Sequence, residues 1–273
     1  MVATKALHRI LMCRPTYFTV AYEINPWMKR QVTVDGPLAS KQWENLKTTL
    51  ETNCEASIEL VEPVRGFPDM VFTANAALIW KNRAYLSHFK HNERQGEREY
   101  FKNWFLERKF KVLGDERLSF EGAGDALFAG DKLFAAYGYR TDKTIYGEIK
   151  RSLKDNDQEK LRIILCQLID PHFYHIDTCF CPLNSKLAMW NPYAFSPESR
   201  TSMENEIELL AVPKNEAENF ACNSVVVEEN VVLPARCPET KQLLEKRGFR
   251  THSVNVSEFL KAGGACKCLT LAL

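Results

Sequence analysis

Apolar residues along this chain come in paired short runs around a polar turn, and each pair is followed by a stretch of helical periodicity. Asn75-Ala-Ala-Leu-Ile-Trp-Lys-Asn-Arg-Ala-Tyr-Leu-Ser87 is one such pair, with helix-like Glu93 to Arg108 behind it. The pattern returns in the pair Asp125 to Ala136 before helical Thr144 to Asp155, and in Thr178 to Trp190 before Ser199 to Leu210. A fourth copy, Cys222 to Pro234, precedes Glu239 to Arg247. Two apolar runs around a short polar turn read as a hairpin. Ser57 to Val61, Arg162 to Leu168 and Thr251 to Val256 read as further strands between units. The repeating unit is therefore strand, turn, strand, helix, strand, at a spacing of roughly 50 residues.

The two ends supply the parts of a fifth unit. His8-Arg-Ile-Leu-Met-Cys13 reads as a strand followed by helical Leu38 to Thr52, while Cys268-Leu-Thr-Leu-Ala-Leu273 is a strand without a hairpin partner. Pairing the first strand with the last would close a ring of five units without exposed edges between them. It would also bury Leu269 to Leu273 and place Cys268 at the start of the closing strand. No linker, low-complexity tract or block of like charge divides the chain, so residues 1–273 read as a single domain.

Composition narrows the function classes. Hydrophobic residues make up 45% and charged residues 26% of the 273 positions, a globular mixture. With 36 Lys plus Arg against 35 Asp plus Glu, a net charge of +1 argues against a nucleic-acid or anionic-membrane partner. No signal-peptide pattern and no spanning apolar run is present, so the expected location is the cytoplasm. The nine cysteines are then reduced, and most pack as small hydrophobes.

Chemically capable residues recur at one place in the unit, just before or at the first hairpin strand: Phe72-Thr-Ala-Asn75, Phe120-Glu-Gly-Ala-Gly-Asp125, Phe173-Tyr-His-Ile-Asp-Thr178 and Gly263-Gly-Ala-Cys-Lys-Cys268. In a ring, equivalent positions gather about the axis, so Asn75, Glu121, His175, Asp177 and Cys268 could share one pocket. A thiol, an imidazole, two carboxylates and an amide suit nucleophilic catalysis. Competing readings attach to several of them. His172 and His175 with Cys179 and Cys181 suggest zinc, although one intervening residue is tighter than the usual cysteine spacing. Alternate strand residues share a face, so these cysteines also fit plain packing. Asp125 could anchor its loop by accepting backbone hydrogen bonds, and Arg94 could belong to a solvated helix start.

The four motifs resemble, in order, the FTRD, EGGD, HLDT and GGGxxCxT motifs of the guanidino-group modifying enzymes, and Asn25-Pro-Trp-Met28 adds an N-terminal match. That group includes arginine deiminase, dimethylarginine dimethylaminohydrolase, arginine dihydrolase and amidinotransferase. The resemblance implies an α/β fold, the pentein five-bladed propeller, with no cofactor and no metal. It implies that Cys268 attacks the guanidinium carbon of an arginine-type substrate, that Glu121 and Asp177 hold the guanidinium, and that His175 moves protons. Arg94 and Arg140 match positions that read the substrate carboxylate, Asp69 is the candidate for the α-ammonium, and Phe72 packs on the aliphatic stem. Asn75 departs from the deiminase pattern, which has Asp there; with Asn25 it resembles the arginine dihydrolases, which carry arginine to ornithine. The expected activity is hydrolysis of arginine or a methylated arginine, ornithine formation ahead of dimethylargininase, then deiminase or amidinotransferase. A non-enzymatic pentein and a zinc-binding interaction module are the readings from other classes. The expected partner is a small molecule, with a homo-oligomer left open.

Overall fold

Each repeating unit forms a three-stranded sheet in the computed structural model, which describes residues 8–153 and 161–273. The chain runs β1 (Arg9–Cys13), α1 (Gly36–Asn53) and β2 (Ser57–Val61). Next come β3 (Ala77–Trp80), β4 (Arg83–Leu86), α2 (Asn92–Gln95), α3 (Glu97–Glu107) and β5 (Lys111–Leu113). The third sheet uses β6 (Ala126–Ala129), β7 (Lys132–Tyr137) and β8 (Arg162–Gln167), with α4 (Ile145–Leu153) before β8. The fourth uses β9 (Phe180–Pro182), β10 (Leu187–Trp190) and β11 (Glu208–Ala211), with α5 (Pro197–Glu204). After α6 (Lys214–Ala217) come β12 (Val225–Val227), β13 (Asn230–Pro234), α7 (Pro238–Glu245) and β14 (Arg250–Val254). Finally α8 (Ser257–Leu260) leads to β15 (Leu271–Ala272).

Within each sheet the first two strands are antiparallel and the third lies parallel to the second, as in Ala77↔Leu86 and Ala84↔Val112. A parallel return needs a crossover, and a helix supplies it. The crossover α1 shows why these segments are helical: Ala39, Trp43, Leu46 and Leu50 fall on one buried stripe, and Asp35 caps its start by accepting from Leu38 N at 2.9 Å. Burying each large apolar side chain of that stripe contributes about 1.5–3 kcal/mol.

The fifth sheet joins the two ends as expected: β15 pairs with β1 through Ile10↔Ala272 and Leu11↔Leu271, and β1 pairs with β2. Leu269 and Leu271 are buried, whereas Ala272 is exposed. The result is a pentein-type α/β propeller. Its five sheets nevertheless stay separate, so the edges are not abolished. Neighbouring units meet through side-chain packing and isolated bridges such as His88↔Phe120.

Two boundaries differ from expectation. The helix expected over Ser199 to Leu210 stops at Glu204, because Glu208–Ala211 takes the parallel hydrogen bonds offered by β10. Cys268 sits in a turn ahead of β15 rather than on the strand. The last two residues of the expected helix Thr144 to Asp155, Lys154 and Asp155, lie outside the described residues. Among the described residues no helix is long and apolar enough to cross a membrane.

Candidate active site

The polar motifs sit in tight turns at the entrance to the first strands. Thr73–Asn75, Gly122–Gly124 and Ile176–Thr178 are each a single 3₁₀ turn leading into β3, β6 and β9. The turns pack directly on one another: Asn75 Nδ2 donates to Glu121 O at 3.3 Å. At Gly124 a Cβ atom would lie 2.2 Å from Asn75 Nδ2, so a side chain there would force the first two turns apart. Two residues apart, His175 and Asp177 would share a face if the backbone between them were extended. His175 is extended but Asp177 lies inside the 3₁₀ turn, so the two carry different partners.

The nucleophile candidate reaches this cluster on the loop 263–268. Gly263 takes φ +80°, a region that L side chains avoid, and its carbonyl accepts from Tyr174 Oη at 2.8 Å. A Cβ on Gly264 would fall 2.5 Å from the Phe72 ring. The glycine pair thus permits a close approach of this backbone to the pocket. Cys268 is buried, with Sγ 3.3 Å from Asp177 Oδ2 and 3.1 Å from Asn223 Nδ2. Cys266 is fully buried and stays an ordinary core thiol.

Seven of the expected residues, Asn25, Asp69, Phe72, Asn75, Arg94, Arg140 and Cys268, line one cavity with about 260 Å³ of empty space. Glu121, His175 and Asp177 lie just behind its wall and reach it through their neighbours. Glu121 Oε2 accepts from Arg140 Nη1 at 2.8 Å and lies 2.8 Å from His175 Nε2. Glu121 is fully buried, where an unpaired carboxylate would cost several kcal/mol. Burial pushes its carboxyl up, but the Arg140 charge and the His175 contact outweigh that and hold it well below its ordinary range. Burial also lowers the His175 imidazole to about 4, against the pull of Glu121. A neutral ring facing an ionised carboxylate must carry its proton on Nε2, so Nδ1 keeps a lone pair. Among the described residues, that Nδ1 and Asp177 Oδ1 have no hydrogen-bond partner in the protein.

Asp177 and Cys268 are both shifted against ionisation. Burial raises the Asp177 carboxyl to about 7, opposed by Lys267 and by the hydrogen bonds with Cys268 and Asn223. Burial, then the Asp177 charge, pushes the Cys268 thiol well above 9.0. At rest Cys268 is a thiol donating toward Asp177 rather than a ready thiolate.

Arg94 is not on a solvated helix start. It is 3% exposed, and its guanidinium bonds both Glu97 oxygens at 2.9 Å, Asn75 Oδ1 at 3.1 Å and Asp69 O at 3.1 Å. Glu97, unnoticed in the sequence, is its buried counter-charge. Asp69 Oδ2 is 3.9 Å from Arg94 Nε, and burial raises the Asp69 carboxyl. Arg140 stacks over Tyr174 at 4.7 Å and donates to Ile24 O. Asn25 staples its own loop: Oδ1 accepts from Trp27 N and Met28 N, and Nδ2 donates to Ala262 O. Asp125 anchors its loop through the Thr141 hydroxyl at 2.6 Å, not through backbone donors. His172 is exposed and pairs with Asp170. Cys179 and Cys181 are buried thiols. Among the described residues no group of three or more His, Cys, Asp and Glu side chains is arranged to hold a metal ion.

Sequence reasoning passed over Asn223, although Cys222-Asn-Ser-Val stands in the fourth unit where Asn75 stands in the first, two residues ahead of the inner strand. The repeat itself was the available signal.

A protein-family profile described as N,N dimethylarginine dimethylhydrolase, eukaryotic, matches residues 14–273. The chain belongs to that family. It is 43% identical over 96% of its length to the bifunctional arginine dihydrolase/ornithine cyclodeaminase of Synechocystis, of which it spans 37%. It is 35% identical over 99% of its length to the N(G),N(G)-dimethylarginine dimethylaminohydrolase of Mycobacterium tuberculosis, of which it spans 87%. Among solved structures it matches the N-terminal domain of the cyanobacterial arginine dihydrolase, in a cysteine-to-serine variant bound to substrate. That match has a TM-score of 0.92 and 42% identity and covers 97% of each chain. The same domain in an asparagine-to-serine variant is covalently bonded to a reaction intermediate, with the same scores and coverage.

Proposed function

We propose that this chain is a cysteine hydrolase of the guanidino group of free arginine or an N-methylated arginine, with arginine-to-ornithine conversion preferred. The observation that carries the reading is a buried thiol between Asp177 and Asn223, opening on a cavity that ends in two buried arginines and Asp69. A guanidinium entering beside Asp177 would satisfy the partnerless Oδ1 with charge-assisted bonds, and its positive charge would favour thiolate at Cys268. Sγ then bonds the guanidinium carbon. The thiol proton passes to His175 Nδ1 as the sulfur attacks. When the C–N bond breaks, Nδ1–H gives it to the departing nitrogen, and Nδ1 afterwards takes a proton from the water that cleaves the C–S bond and returns it to the leaving sulfur.

Arg94 and Arg140 suit the carboxylate end, though most of the Arg94 donors are already spent, which leaves it room for one further bond. Asp69 Oδ1, buried without a partner, suits the α-ammonium. One hydrolysis gives citrulline and an amine; a second attack on the ureido carbon gives ornithine, a second ammonia and carbon dioxide. Asn75 favours the second step, because a neutral amide does not repel a ureido oxygen as a carboxylate would. Its Oδ1 is already bonded to Arg94, so it presents a donor rather than an acceptor. The matched family's description favours the second reading, in which dimethylarginine loses dimethylamine and the product is citrulline. The proposed setting is the cytoplasm, where nine buried free thiols stay reduced.

Incubating the protein with arginine, citrulline and asymmetric dimethylarginine, and identifying the products, separates the readings. Ornithine from arginine supports the first and dimethylamine the second. No turnover of any of them, or undiminished turnover by Cys268→Ser, overturns both.

A further inference from the structure

We propose that Asn223 is a positioning residue for the nucleophile, holding the Cys268 sulfur in place and stabilising the negative charge that develops on it. Its amide makes four contacts. Oδ1 accepts from Ala265 N at 3.0 Å and from Cys268 N at 3.1 Å. Nδ2 donates to Asp177 O at 3.0 Å and to Cys268 Sγ at 3.1 Å. The orientation is fixed by chemistry: two backbone N–H groups can meet only an oxygen, and a backbone carbonyl can meet only the NH₂. Nδ2 therefore faces the sulfur with a hydrogen. Asn223 is fully buried, so no water competes for these contacts.

Stapling alone would account for Oδ1 but not for the aim of Nδ2. A neutral thiol is a weak acceptor, whereas a thiolate accepts a charge-assisted bond. The Nδ2 contact thus gains strength as the thiol proton leaves, which is the condition for helping the chemical step rather than resting binding. Asp177 opposes it: a carboxylate 3.3 Å from the sulfur disfavours thiolate. Other titratable groups bearing on the sulfur include Lys267, from its own loop, and Tyr174, beside His175. Of these neighbours Asn223 alone is a neutral donor bonded to the sulfur, and it also ties the sulfur's loop to the Asp177 turn. The proposal rests on Cys268 being the nucleophile, but not on which guanidino compound is consumed.

Asn223→Asp tests it, since one carboxylate oxygen can still accept from Ala265 and Cys268 while the donor to sulfur is replaced by an acceptor. The readout is the alkylation rate of Cys268 by iodoacetamide across pH, assigned to Cys268 by peptide mass, alongside kcat and KM. The expected result is a fall of about 10- to 100-fold in alkylation rate near neutral pH. The rate's rise with pH shifts upward, and kcat falls more than KM changes. Because a carboxylate at 223 would itself disfavour thiolate, the deciding comparison is the uncharged Asn223→Ser: a pure staple predicts a parental alkylation rate there and a loss confined to thermal stability in Asn223→Ala, and that outcome overturns the proposal. Asn223→Ser is read by the same two measurements, with the same expected direction, whether or not Asn223→Asp shows a cooperative melt. If the parent consumes no guanidino compound, the functional reading falls while the alkylation comparison still decides the role of Asn223.

Discussion

The inner strands and the turns that lead into them are neighbours in sequence and opposite in character. Leu78, Leu127, Phe180, Val226 and Leu271, one from each sheet, line a largely apolar cavity with about 700 Å³ of empty space. The preceding turns carry Asn75, Glu121, Asp177, Asn223 and, ahead of β15, Cys268, so that only the first and fourth units repeat a residue type. The strands repeat because packing asks the same shape of every unit. The turns diverge because the proposed chemistry needs one nucleophile, one proton carrier and one counter-charge rather than five of each. Substitutions in the two regions should therefore fail differently.

The largest effect belongs to the proposed nucleophile. Cys268→Ala should lower kcat by about 10⁴-fold or more while leaving the melting temperature close to the parent's, as product assay and thermal unfolding would read. Glu121→Gln comes next, because it removes the charge shared by His175 and Arg140. A kcat loss of about 10²–10⁴-fold is expected, and a change confined to KM would contradict the proton-carrier role of His175.

Arg94→Met blurs the contrast, since it sits in the site yet holds the fold. It strands the buried Glu97 carboxylate, so denaturant unfolding should show a loss of about 3–5 kcal/mol. On the strand side, Leu127→Ala should cost about 2–3 kcal/mol, the lower part of the usual range because the side chain already borders open space. Its kcat should stay within about twofold of the parent; a larger fall would mean that the strands feed the chemistry directly.

The smallest effect is a pH slope. Asp177 is raised to about 7 from an ordinary value of 3.8, so between those limits the folded state holds a proton that the unfolded state has lost. Its contribution to stability is full below the lower limit and fades as pH rises through the upper one. Asp177→Asn lacks that dependence. The melting temperature of the parent relative to Asp177→Asn should accordingly decline from about pH 4 to pH 8, and a constant difference would count against a raised Asp177.

Much of this was legible before any coordinates. Alternating runs gave the hairpins, and the recurrence of polar residues ahead of each hairpin placed Asn75, Glu121, His175, Asp177 and Cys268 together. What escaped were partners defined only by three-dimensional neighbourhood. Glu97 sits on a helix face that reads as solvated, and its burial follows from Arg94 turning inward. Asn223 is an uncharged residue before a valine run, without a charge or motif to draw attention. Glu208–Leu210 read as helix because local periodicity cannot see the edge of β10 waiting for a partner.

The Leu11↔Leu271 pairing also bears on the order in which the molecule assembles. Hairpins such as β3–β4 and β6–β7 close short loops, whereas β15 must find β1 across almost the whole chain. Such distant pairing carries the largest loop-closure entropy and is expected late in folding. The thiol's loop lies between α8 and β15; Asn223 and Tyr174 hold it on one side, and its other side is anchored only when that last pairing forms. A partly folded chain can already own four formed sheets and still lack a working nucleophile. Catalytic competence, on this topology, reports completed folding rather than mere collapse.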